Sequence, residues 1–117
     1  MKTVIIGASL ILALLSGPAR GAEDIGSANF LLPGCRGFVV NAPEDSRTAL
    51  LMGVCAGIVY GVAAFSCGPP NATPNQMVRL VIEYIEDRPE RMHEQFRTLA
   101  SEALKTAWPC NPMEGLP

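Results

Sequence analysis

A single histidine, four cysteines with no C-x-x-C pair, and no phosphate-cradling loop or nucleophile elbow leave this sequence without the parts that most metal, triad and nucleotide chemistries need. Charge is scarce too, at 17% of residues, and nine Lys plus Arg do not outnumber eleven Asp plus Glu. With no cluster of basic side chains to meet phosphates, nucleic acid is excluded as a partner. Strand-like alternation, internal repeats and low-complexity tracts are missing, which leaves an all-α class. What the 117 residues do have is 49% hydrophobic content, enough for one modest core and no second domain. The composition is that of a binder rather than a catalyst, and no cofactor is expected.

Lys2, the apolar run from Val4 to Leu15 and the small residues Gly17, Ala19 and Gly21 read as a signal peptide over residues 1–21, with Ala22 as the mature start. Its apolar stretch is shorter than the roughly 20 residues that cross a bilayer. Losing Lys2 and Arg20 leaves seven basic against eleven acidic side chains in a single domain, residues 22–117. Export also decides how the cysteines are read, because an oxidising compartment lets thiols pair. Cys35, Cys55, Cys67 and Cys110 then imply two structural disulfides.

Pro33-Gly34 and Gly37 predict a short helical turn over 27–32 followed by an irregular stretch carrying Cys35. Asn41 with Glu44 reads as the capped start of a long helix that continues from Ala49 to Phe65 without a charged residue. Gly53, Gly57 and Gly61 repeat every fourth residue on its one smooth face, where another backbone can pack closely. The reading is a central helix buried on most sides, with a membrane span over residues 49–67 as the alternative. Thr73-Pro74-Asn75-Gln76 has the grammar of a capping box, opening an amphipathic helix with Met77, Val78, Val81, Ile82 and Ile85 on one stripe. Asp87-Arg88-Pro89-Glu90 repeats that grammar and predicts a fourth helix almost without a loop, striped by Met92, Phe96, Leu99, Ala103 and Leu104.

If the glycine helix is continuous, Cys55 and Cys67 lie about 18 Å apart along it. A disulfide needs Cα atoms within about 7 Å, so that pairing drops out. Of the two connectivities left, an up-down-up order of the long helices favours Cys67–Cys110 and leaves Cys35 for Cys55.

His93 reads as a surface side chain. Glu83, Glu86, Asp87, Glu90 and Glu94 are interleaved with Arg79, Arg88, Arg91 and Arg97 at helical spacing, which suits a salt-bridged, solvated face. Candidate partner-binding residues are Pro69, Pro70 and Asn71 in the Pro-fixed loop after Cys67, and Glu86 and Glu90 in the acidic run. A stiff loop loses little ordering entropy on binding.

Taken together, S-A-N-F-L-L-P-G-C-R-G (27–37), G-V-C-A-G-I-V-Y-G (53–61), C-G-P-P (67–70) and A-L-K-T-A-W-P-C (103–110) make the chain resemble the Rap/Tai family of exported immunity proteins of type VI secretion systems. The resemblance implies a periplasmic, all-helical homodimer that blocks the active site of a cognate peptidoglycan amidase effector. It carries over the four cysteines as framework, Gly53, Gly57 and Gly61 as the packing helix, and Trp108 as part of the closing motif. A different class is a periplasmic acid-stress chaperone, whose carboxylates near Glu86 and Glu90 would protonate, weaken the fold or the dimer and expose the apolar glycine helix to clients. A third is an envelope protein anchored by a single span; the leading reading has no membrane insertion of the mature chain.

Overall fold

Ser27 opens the first helix: its hydroxyl accepts from the Phe30 amide, the N-cap bond that satisfies an otherwise orphaned donor. The computed structural model describes residues 24–110, so the proposed leader and mature start lie outside the described residues. Four α-helices follow in chain order: α1 (Ala28–Val40), α2 (Ser46–Ala63), α3 (Pro74–Glu86) and α4 (Phe96–Ala107). A short 3-10 turn, Pro89–Arg91, lies between the last two. The only sheet-like pairing among the described residues is an isolated bridge between Ser27 and Gln95.

The first helix corrects the expectation of a break at Pro33. It runs unbroken to Val40 and carries Cys35 inside it. Proline removes the donor that the Asn29 carbonyl would have used, a defect of about 3 kcal/mol in an ordinary helix interior. Here Pro33 and Asn29 both lie on the exposed side, where water can serve that carbonyl. Gly34 and Gly37 face the other way and explain why the helix holds. A Cβ on Gly34 would stand 2.5 Å from the Leu51 backbone, and one on Gly37 3.2 Å from Met52 Cγ. These two glycines let α1 lie against α2, and Cys35 is bonded to Cys55 across that contact with Cα atoms 5.4 Å apart. The second disulfide joins Cys67 to Cys110 at 5.1 Å, so both favoured pairings are the observed ones.

Two predicted helix starts fall elsewhere. Asn41 does not begin α2; it ends α1, in the left-handed conformation at φ 52°, with its amide donating to the Gly37 and Phe38 carbonyls. The N-cap of α2 is Asp45, whose carboxylate accepts from the Thr48 amide at 2.8 Å and is held below the usual carboxylate range by that bond. The fourth helix begins at Phe96, not near Pro89. The intervening carbonyls of Met92 and Glu94 accept from the amides of Asn29 and Ala28, and the Phe96 amide donates to Gly26. Residues 92–95 thus leave helical geometry in order to cap the start of α1. The capping box of α3 forms as its sequence predicts, with Thr73 and Gln76 exchanging bonds of 2.8 and 3.1 Å.

The core gathers Leu31 and Leu32 of α1, Val78, Val81 and Ile85 of α3, and Phe96, Leu99 and Leu104 of α4. From α2 it takes only Cys55 and Val59. The long apolar helix is therefore not a central one; it lies against the bundle by a narrow stripe. Gly53, Gly57 and Gly61 point away from the chain, and a Cβ on any of them would meet nothing within 4 Å. Each costs helix stability of about 1 kcal/mol relative to alanine, with no packing inside the chain to offset it. By length and composition α2 is also the one described helix that could cross a membrane.

Around the 3-10 turn, Arg91 gathers a cluster of charges. Its guanidinium donates to both carboxylate oxygens of Glu94 at 2.7 and 2.9 Å and to those of Glu102 at 2.8 and 3.1 Å, and Tyr84 donates to Glu102 at 3.0 Å. The Arg91 bonds pull the Glu94 and Glu102 pKa values below the ordinary 4.5. Because the folded values are the lower ones, their contribution is whole above about pH 4.5 and is lost as the pH falls through them. The melting temperature is expected to fall below pH 4.5, and Glu102→Gln to flatten that fall, a comparison that thermal melts between pH 3 and 7 would check.

Candidate functional site

The Cys67–Cys110 bridge ends α2's overrun and fixes the loop that follows it. Pro69 and Pro70 restrict the backbone, and Gly68 sits so close to Trp108 that a Cβ there would stand 2.5 Å from the indole Cε3. The loop is thus clamped at its start, by the bridge at Cys67 and by the indole against Gly68. The Thr73 capping box then stops it within a few residues.

Beside this clamped loop lies a groove of about 790 Å³, within the range of small-molecule and peptide pockets. One wall is the end of α1, with Arg36, Val39 and Val40; the other is the outer face of α3, with Arg79, Leu80 and Ile82. Pro69, Asn71 and Trp108 close the end between them. Asn75 ties the walls together, its amide donating to the Val39 carbonyl at 3.3 Å while its oxygen accepts from Arg79 at 2.7 Å. At the open end Arg36 donates to Glu86 at 3.1 Å. Both walls carry apolar side chains beside paired charges, a combination that suits a short peptide segment with an apolar anchor and polar flanks.

Of the candidate residues, Pro69 and Asn71 line the groove and Glu86 reaches its rim through Arg36. Pro70 turns to a smaller hollow that it shares with Tyr60 and Met77. Glu90 is exposed on the 3-10 turn, away from these residues' groove. The acidic run does not act as one face: Glu86 pairs across to α1, Glu94 with Arg91, and the network's other carboxylate, Glu102, comes from α4. No group of three or more His, Cys, Asp or Glu among the described residues is placed to hold a metal ion.

The groove's apolar lining at Val39, Val40 and Leu80 is not visible in the stripe pattern. Val39 and Val40 look like the tail of an apolar run, and Leu80 falls off the main stripe of α3. That displacement was the available signal: an apolar residue outside a helix's buried face needs a second surface to cover it.

A protein-family model described as Rap1a immunity proteins matches residues 27–110, most of the chain and all of the described helices. No curated protein and no solved structure matches it.

Proposed function

The chain belongs to the Rap1a immunity proteins, and from that premise we propose that it is exported to the periplasm and neutralises a peptidoglycan amidase effector of a type VI secretion system by binding it stoichiometrically. The signal-peptide pattern of residues 1–21 and two disulfides support the compartment. The observation that carries the reading within the chain is the clamped 67–73 loop beside a preformed groove. A toxin would dock against a surface that is already rigid, so little ordering entropy opposes the complex. The loop edge with Asn71 would meet the rim of the enzyme's cleft, and a segment of the enzyme would seat on Val40 and Leu80. The protein works as a homodimer in this reading and carries out no reaction itself.

The experiment is capture of the tagged mature chain from the producer's periplasm and secreted fraction, followed by titration of the co-eluting enzyme on peptidoglycan. Lytic activity is expected to fall linearly to an equivalence point at one chain per enzyme. A partner without peptidoglycan hydrolase activity would sink the amidase assignment. Val40→Glu should weaken the complex tenfold or more while shifting the melting temperature little, since Val40 is 66% exposed.

A further inference from the structure

The groove between α1 and α3 is unfinished on both walls. Val40 stands 66% exposed on the first. On the second, Arg79 has, among the described residues, the Asn75 amide oxygen at 2.7 Å but no carboxylate for a partner. The closed end of the groove is also where the described chain stops. Trp108 and Pro69 line that end, and Cys110, just past the indole, is bonded to Cys67, just before Pro69. A segment continuing from Cys110 therefore sets out beside the groove. In the sequence that segment is Asn111-Pro112-Met113-Glu114-Gly115-Leu116-Pro117.

We propose that residues 112–117 lie along this groove of their own chain, with Met113 and Leu116 against its apolar walls and the Glu114 carboxylate on Arg79. The consequence is regulation of the docking site, and in that it rests on the toxin-binding reading above: the segment holds the groove until a toxin segment displaces it. The apparent affinity for the toxin is then reduced by the fraction of time the groove is free.

Charge, pattern and reach all favour this occupant. The charged side chains lining the groove are Arg36, Arg79 and Glu83, a positive balance, and residues 111–117 carry Glu114 as their one charged side chain. Pro112 and Pro117 fix their own φ and bias Asn111 and Leu116 away from helix, so an extended path costs the segment little. A chain of polyproline type turns once in three residues, which sets Met113 and Leu116 on one side and Glu114 on another. Seven extended residues cover about 23 Å, whereas α3 rises about 10 Å from Gln76 to Glu83 along the groove. The tether at Cys110 also supplies an effective concentration on the order of millimolar, so contacts too weak to hold a free peptide suffice here.

Trp108 is the only tryptophan and lines the groove, so its fluorescence reads what covers it. The test is acrylamide quenching of the disulfide-bonded mature chain, beside a chain ended after Asn111, Arg79→Glu, Glu114→Arg and the double charge swap. Ending the chain is expected to raise the quenching constant about twofold and leave the helical circular dichroism unchanged, since all four helices and both bridges remain. Each single charge reversal should raise it in part, and the swap should return it to the wild-type value. Quenching that truncation does not change would overturn the proposal. A rise on truncation that the swap fails to restore would overturn the placement of Glu114 on Arg79. Protection that disappears when wild type is diluted would assign the groove to the same segment of another copy, and would overturn the proposal too. These readings need no toxin, so the segment can prove seated where the amidase assignment fails, and the reverse. With the captured enzyme as probe, the ended chain should bind about fivefold more tightly, the factor for a groove free about one-fifth of the time. Equal affinities would overturn the regulatory role.

Discussion

Alanine in place of Gly34 is expected to lower the stability of the folded chain by about 3 kcal/mol, at the upper end of ordinary overpacking. The added methyl would lie 2.5 Å from both the Leu51 carbonyl carbon and its oxygen, and backbone in mid-helix has no rotamer by which to step aside. Either α1 and α2 separate, which strains the Cys35–Cys55 bridge between them, or α1 bends at Pro33. For a domain of this size the loss corresponds to a melting temperature lower by about 10–20 °C. Gly37→Ala is the graded control. Its methyl meets the flexible end of Met52 at 3.2 Å, so the cost should be well under half as large. Gly53→Ala, measured where the chain is monomeric, should move the other way by about 1 kcal/mol, because an exposed helical site gains propensity and meets no neighbour. Equal losses at Gly34 and Gly53 would show that the packing surface has been assigned to the wrong glycines.

The second large effect is an ordered loss of the two disulfides. Under mild reductant in native conditions, Cys67–Cys110 is expected to open first and Cys35–Cys55 to survive until the chain unfolds. Cys67 and Cys110 are both exposed, whereas Cys35 and Cys55 are both fully buried, and exchange requires a thiolate to reach the sulfur. Trapping with iodoacetamide and mapping the labelled peptides reads the order directly; label on Cys35 and Cys55 at early times would contradict it. Chain entropy alone gives removal costs of about 3 kcal/mol for the separation of 20 residues and about 4 kcal/mol for that of 43. The outer bridge is thus the easier to reach and no less valuable to stability. Its loss should also free the 67–73 loop, so toxin affinity is expected to fall before the helical signal does.

Much of the architecture is legible in local chemistry. Thr73-Pro74-Asn75-Gln76 satisfies its own orphan amides, so no tertiary partner is needed to place the start of α3. The stripes Val78, Val81, Ile85 and Phe96, Leu99, Ala103 have one period and one solution, a shared core. The rise of a continuous helix removes only Cys55–Cys67 from the pairings, and the choice between the two left rests on the up-down-up order of the helices; α2 in fact stops at Ala63, short of Cys67, and the favoured pairing holds all the same. Part of the groove was readable as well, through the prolines that stiffen residues 69–70, but its Val39, Val40 and Leu80 walls are made by two helices that are distant in sequence.

The sequence by itself determined the helical class, the presence of two bridges and the immunity-family motifs, because each rests on composition or on spacing within a segment. Tertiary structure alone decided which glycines pack. Gly34 and Gly37 looked like helix breakers and prove to be the contact surface, while Gly53, Gly57 and Gly61 looked like the contact surface and face outward. The physical reason is that glycine's missing Cβ is neutral in sequence: it reads as flexibility or as closeness according to what stands opposite. The same holds for residues 92–95. Their local pattern favours helix, and their carbonyls are drawn off to cap α1 more than sixty residues earlier, a demand that exists only once the bundle has formed.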